Sequence, residues 1–296
     1  MVRAFRSKMS RSSVRQGVTS SETGRPMTAA KGSVGASVAI MVAGWHTTEA
    51  ARSMTEPIDG RTQTAAPGLR DAHSHLFLDA GPEPRLSCLA SSPAARVEVA
   101  LANAERARRA GITTVVDLGA SFEDIAGFRA RAASWPRPLP RVIWAGPPIT
   151  RRGGHCHFWG GEVATEADVA AAVEARIAMG AGVVKVMVSG GGITPGTDPA
   201  VAEMPVPLLT LAVRLAHDAG LPVAAHCHAT EAMRRAVDAG VDRIEHGSFL
   251  DADGRSRFDR GLADEMAARA IGVGATVISA VNTEQRLRSG GALLDE

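Results

Sequence analysis

The sequence predicts an α/β fold on a parallel sheet, of the (β/α)8 barrel kind. Three observations carry this. From residue 67 onward, short apolar runs bounded by Gly or Pro alternate with longer Ala-rich stretches whose charges recur at helical spacing; strands separated by helices of that length are βα units. The first strand-to-helix turn, Asp71-Ala72-His73-Ser74-His75, holds no glycine, where an open dinucleotide-binding sheet carries G-x-G-x-x-G. The Gly-rich run Ser189–Gly196 lacks the spacing of a phosphate loop.

In chain order, residues 1–32 carry seven basic side chains against the single Glu22, a net +6; with +2 overall, the rest of the chain carries −4. Residues 1–34 therefore read as a disordered basic arm rich in Ser and Arg, a start extended beyond a true one at Met9, Met27 or Met41. Residues 35–66 give one weak strand signal, Val38–Ala43, and the turn Ile58-Asp59-Gly60-Arg61. Seven strands are then expected at Gly68–Leu76, Thr113–Gly119, Arg141–Ile149, Val183–Gly190, Pro222–His228, Arg243–Gly247 and Gly272–Ile278. Helices are expected at Ala94–Ala110, Phe122–Ala133, Glu166–Met179, Leu208–Ala219, Glu231–Ala239 and Arg260–Ala270. Thr165 with Asp168 marks a capping-box start for the third of these. The domain reading is thus 1–34, 35–66 and a barrel over 67–296, with no eighth strand before the chain stops.

Composition narrows the function classes. Three scattered cysteines, Cys88, Cys156 and Cys227, cannot staple 296 residues and fit a reducing cytoplasm. No apolar run reaches the ~18 residues of a membrane span. A mildly acidic body argues against a nucleic-acid surface. The expected partner is a small molecule, with no nucleic acid and no membrane; a homo-oligomer is compatible.

The chemistry-bearing residues gather at predicted strand ends, where barrel enzymes keep their sites. His73 and His75 are two apart, so one strand aims both imidazoles the same way. His226 and His246 end two later runs, and His155, His157 and His228 fall at or just after strand ends. Of 33 basic residues thirty are Arg, and Lys185 is the only lysine beyond Lys8 and Lys31. It lies inside Val183-Val-Lys-Val-Met-Val. A lysine buried there loses its proton more easily, and a neutral amine can take up CO₂ as a carbamate, an anionic oxygen ligand able to bridge two metals.

Pro67-Gly-Leu-Arg-Asp-Ala-His-Ser-His-Leu76, Gly111-Ile-Thr-Thr-Val-Val-Asp-Leu-Gly119, Gly153-Gly-His-Cys-His157, Val184-Lys-Val-Met-Val-Ser-Gly-Gly191, Ala224-Ala-His-Cys-His228 and Ile244-Glu-His-Gly247 occur in order. Over about residues 58–281 this set resembles the amidohydrolase superfamily, in its imidazolonepropionase-like and Xaa-Pro-dipeptidase-like branch of metal-dependent hydrolases with a TIM-barrel fold. The resemblance implies that His73 and His75 bind the more buried of two divalent metals, zinc by preference. A carboxylated Lys185 would bridge both, and His226 and His246 would bind the second. It implies attack by a metal-activated hydroxide on an amide, cyclic amide or dipeptide-like carbon and rupture of a C–N bond. His155 is the catalytic candidate, and His155, His157, His228 and Arg151 are the substrate-binding candidates; Arg151 or Arg152 could meet a substrate carboxylate, while the favoured reading of both arginines is a structural turn that carries them on the surface.

Two departures from the pattern shape the expectations. The family's last ligand, an aspartate ending strand eight, is not seen, and only a remnant of its β-sandwich would fit within 35–66. The chain is therefore expected to be C-terminally truncated. Two other readings compete: a mononuclear deaminase of the same superfamily, which would not use a strand-four carbamate, and an inactive metal-binding fragment.

Overall fold

The computed structural model describes residues 67–276. The basic arm, the sandwich remnant and whatever follows Thr276 lie outside the described residues.

The first three strands are β1 (Leu69–Ser74), β2 (Ile112–Asp117) and β3 (Arg141–Trp144), paired in that order. Later come β6 (Val184–Met187), β7 (Val223–Ala229), β8 (Arg243–Leu250) and β9 (Gly272–Gly274), a second sheet in sequence order. Between them, β4 (Thr150–Arg151) and β5 (Glu162–Val163) form a short ribbon. Every strand-to-strand pairing is parallel, as βα connections require. After β3 the chain runs beside β6: Ile149 N–H donates to Lys185 O, and Met187 N–H donates to Ile149 O, both at 2.8 Å. On the other side, Arg243 Nη2 donates to Ala72 O at 3.1 Å, holding β1 against β8. The two sheets therefore share one interior.

Helices α2 (Pro93–Arg109), α3 (Phe122–Ala132), α4 (Glu166–Met179), α5 (Val206–Asp218), α6 (Thr230–Ala239) and α7 (Arg260–Ala268) fall where expected. Their starts are built from side chains. Ser92, Ser121 and Asp259 each accept a backbone N–H of the first turn, and Thr165 with Asp168 closes a full capping box. Gly180 and Gly240 end α4 and α6 in the left-handed conformation, which costs glycine least.

Strand alternation sorts the side chains. Val184, Val186, Ala225, Cys227 and Ile244 pack outward with Leu209, Val213, Met233 and Leu262 of the helices. Lys185, Met187, His226 and His228 take the opposite face and line a cleft.

Several expectations need correction. The run 141–149 is not one strand: it breaks after Trp144, where Gly146 has φ +78° and Pro147-Pro148 offer no N–H to a ladder. The β4–β5 ribbon and helix α1 (Pro84–Ala90) were not expected; seven residues between prolines and serines carry too little periodicity to read as helix. The run 183–190 stops pairing as a strand at Met187, while β8 continues past Gly247 to Leu250. Among the described residues β1 pairs only with β2, and β9 only with β8.

Candidate metal centre

The inner face of both sheets opens at the C-terminal strand ends into a cleft of about 400 Å³. His73, His75, His155, Lys185, His226, His228 and His246 all line it, with Leu78, Cys156, Met187 and Ile193. Residues far apart in sequence are thereby brought together.

The imidazoles form a connected set. His73 lies 5.3 Å from His75 and 5.0 Å from His246, ring centre to ring centre. His246 lies 4.6 Å from His226 and 4.4 Å from His228, stacked on the latter. His155 lies 4.5 Å from His226. One ligand atom from each of His226, His228 and His246 falls within 4.8 Å of the others. His228, expected only as a substrate contact, thus sits among the potential ligands.

His246 reaches this set by breaking a local rule. It pairs in register with Cys227, and alternation puts it on the outer face with Ile244. Its φ of +69° turns it out of that pattern. A non-glycine residue held there costs about 1–3 kcal/mol, and such strain gathers at functional sites.

Except for His155, each ring is also held from behind. His73 Nδ1 meets Glu245 Oε2 at 2.7 Å, His228 Nδ1 meets Ser248 Oγ at 2.8 Å, and His246 Nδ1 meets Thr276 Oγ1 at 2.8 Å. His226 Nε2 donates to Gly190 O at 3.0 Å. His75 stacks on Trp159 and has a long 3.5 Å contact from Nδ1 to Gly119 O.

Burial sets the protonation. Desolvation lowers the pKa of His73 and holds His75 and His226 well below the ordinary imidazole value. Burial brings His155 to about 3 and His228 to about 4, and lowers His246 as well. Neutral imidazoles keep a lone pair, the form a metal needs. Lys185 is fully buried, and its Nζ has no hydrogen-bond partner among the described residues. Burial lowers its pKa to about 8, with nearby Glu245 opposing. Clustered neutral imidazoles around an orphaned buried amine are a donor set that fits divalent metal ions.

The remaining candidates divide. His155 is buried, with Nδ1 unpartnered at the cleft. Arg151 does not line the cleft: its Nη2 pairs with Glu203 Oε1 at 2.7 Å. His157 does not line it either, because a 3₁₀ turn at His157–Trp159 sends Trp159, rather than His157, against His75. Sequence reasoning missed three buried acids. Glu245 backs His73. Glu203 Oε2 accepts His155 N–H at 3.2 Å. Asp117 accepts Leu76 N–H at 2.8 Å and Gly119 N–H at 3.1 Å, tying the ends of β1 and β2. Glu245 and Asp117 stand inside quoted motifs at strand ends, and that position was the available signal.

The profile described as "Amidohydrolase family" matches residues 64–290. An uncharacterized protein of Mycobacterium tuberculosis (strain H37Rv) is 28% identical over 207 residues, 68% of this chain and 51% of that protein. A Mycobacterium bovis protein, also uncharacterized, matches to the same extent. The chain spans about half the length of the curated relatives it matches. Among solved structures, a Xaa-Pro dipeptidase with methionine bound in its active site is similar at 26% identity and TM-score 0.64, over 75% of this chain and 56% of that one. An A. niger ochratoxinase, at 23% identity and TM-score 0.62 over 75% of this chain and 55% of that one, shares the fold.

Proposed function

The chain belongs to the amidohydrolase family, and on that premise we propose that it hydrolyses carbon–nitrogen bonds of amide-type substrates in the histidine-lined cleft. One observation carries the reading: Lys185, fully buried and unpartnered at Nζ, lies among neutral histidines at the strand ends.

His73, His75, Lys185, His226 and His246 would hold two divalent ions, zinc by preference. Lys185 would serve as a carbamate. Its Nζ lone pair bonds to the carbon of CO₂, one N–H proton leaves to solvent, and an anionic two-oxygen ligand results. Metal ions held there supply Lewis acidity toward a carbonyl oxygen and lower the pKa of water. His155 would hydrogen-bond the substrate carbonyl, a role supported by its unpartnered Nδ1 at the cleft. Leu78, Cys156, Met187 and Ile193 form an apolar side of the cleft, packed in one cluster with Trp159 and suited to an apolar flank of the substrate. Three unpaired, buried cysteines support the proposal of a cytoplasmic location. Among the described residues no helix is long and apolar enough to cross a membrane.

The test is to load the full chain with zinc, count bound metal, and follow amine release from a panel of N-acyl amino acids, aminoacyl-prolines and anilides. The expected result is two ions per chain and hydrolysis that chelation removes and zinc restores. Full metal loading with no amine released from any member overturns the reading. The His226–His228–His246 cluster favours one alternative, a single-ion deaminase; one ion per chain with ammonia release from an aminated heterocycle selects it.

A further inference from the structure

We propose that Glu245 is a positioning residue of the centre, fixing His73 in the tautomer that leaves Nε2 free for a metal ion. The inference rests on the reading of the cleft as a metal centre. Glu245 Oε2 lies 2.7 Å from His73 Nδ1, although the two residues are 172 apart in sequence. A carboxylate can only accept, so the ring donates from Nδ1 and its lone pair stays on Nε2.

The carboxylate is itself held in place. Arg243 Nη2 lies 2.7 Å from Oε1, and the same nitrogen donates to Ala72 O, the backbone next to His73. The charge that offsets a fully buried Glu245 therefore also clamps the strand carrying the ligand. On the far side β9 passes close: a Cβ at Gly274 would fall 2.1 Å from Oε2. Glycine there makes room for the carboxylate. Among the described residues no other histidine of the cleft is backed by a carboxylate: His75, His226, His228 and His246 meet backbone carbonyls or hydroxyls, and His155 Nδ1 has no partner. A carboxylate behind a histidine orients the ring and raises its basicity as a ligand, and losing such a partner typically costs about 10–100-fold in metal affinity.

Two measurements on the full chain test this. In metal-free protein, long-range nitrogen–proton correlation spectra of the imidazoles should show His73 protonated at Nδ1. In a zinc titration against a competing chelator, Glu245→Gln should weaken binding by about 10–100-fold. Gly274→Ala, which leaves the carboxylate chemically intact but displaces it, should weaken binding in the same direction and serves if Glu245→Gln fails to fold. His73 protonated at Nε2 in the wild type, or variants that bind zinc as tightly as wild type, would overturn the proposal. Wild-type protein that takes up no metal overturns the metal-centre reading instead, since the tautomer spectrum does not depend on it.

Discussion

Lys185 and Asp117 show how burial alone changes what a residue can do. Lys185→Arg keeps the charge but cannot become a carbamate, so this variant should lose one bound ion and its hydrolysis. Lys185→Ala should regain part of the activity with short-chain carboxylic acids; full activity in the Arg variant would refute the carbamate. At Asp117, burial pushes the carboxyl up to about 7, against two backbone N–H donors that pull it down. A carboxyl with a folded-state pKa above its unfolded value binds its proton more tightly in the folded chain. The stability this provides is complete below about pH 4 and is lost as pH rises to about 7. Urea unfolding of wild type against Asp117→Asn should therefore show a wild-type advantage at about pH 5 that shrinks, on the order of 2 kcal/mol, by about pH 8. An advantage that does not change with pH would show that the two N–H donors keep the carboxylate ionised throughout.

At the scale of elements, the loop after β3 and the loop after β6 are latched together. Cys156 N–H donates to Thr194 Oγ1 at 2.9 Å, and Glu203 takes both Arg151 and the His155 backbone. Arg151, named from the sequence as a substrate-binding candidate with a surface turn as the favoured reading, is engaged in this latch. His155 packs against Gly191 so closely that a Cβ there would lie 2.5 Å from its ring. Gly191→Ala should push His155 off its position. Turnover should fall by about 10-fold or more, the scale of a lost positioned hydrogen bond, while zinc content measured by elemental analysis stays at the wild-type value. Loss of zinc in this variant would make His155 a ligand instead.

For the whole molecule, the site spans two sheets: His73 and His75 come from the β1 sheet, and Lys185, His226 and His246 from the β6–β9 sheet. An ion bound to both ties them, and anything that binds only the folded state stabilises it. At free zinc about 100-fold above its dissociation constant the gain is about 2.7 kcal/mol, or roughly 5–10 °C in Tm for a unit of about 200 residues. Calorimetry with zinc and with excess chelator checks this. Equal midpoints would mean that the histidines are independent structural residues.

Much of this was legible in the sequence because the signals are local. Apolar runs, Ala-rich helical spacing, Ser and Thr caps and Ala-Gly stops are set by neighbours within a few residues, and these placed β1, β2, β7 and helices α2 to α7 to within a turn, while α1, the β4–β5 ribbon and the early end of β3 gave no such signal. His73, His75, Lys185 and His226 were legible for the same reason: strand alternation and a strand-end position aim them inward. What only the tertiary structure decided depends on partners remote in the chain. Glu245 has no visible role until β1 arrives beside β8, and Glu203 has none until the β3 loop folds onto it. His228 joins the potential ligands only when β7 lies against β8. His246 was named by its strand-end position and motif, but how it reaches the cleft was not legible. Its local periodicity puts it on the outer face, and the positive φ that brings it to the cleft is a strained conformation that short-range preference opposes and surrounding packing must hold in place.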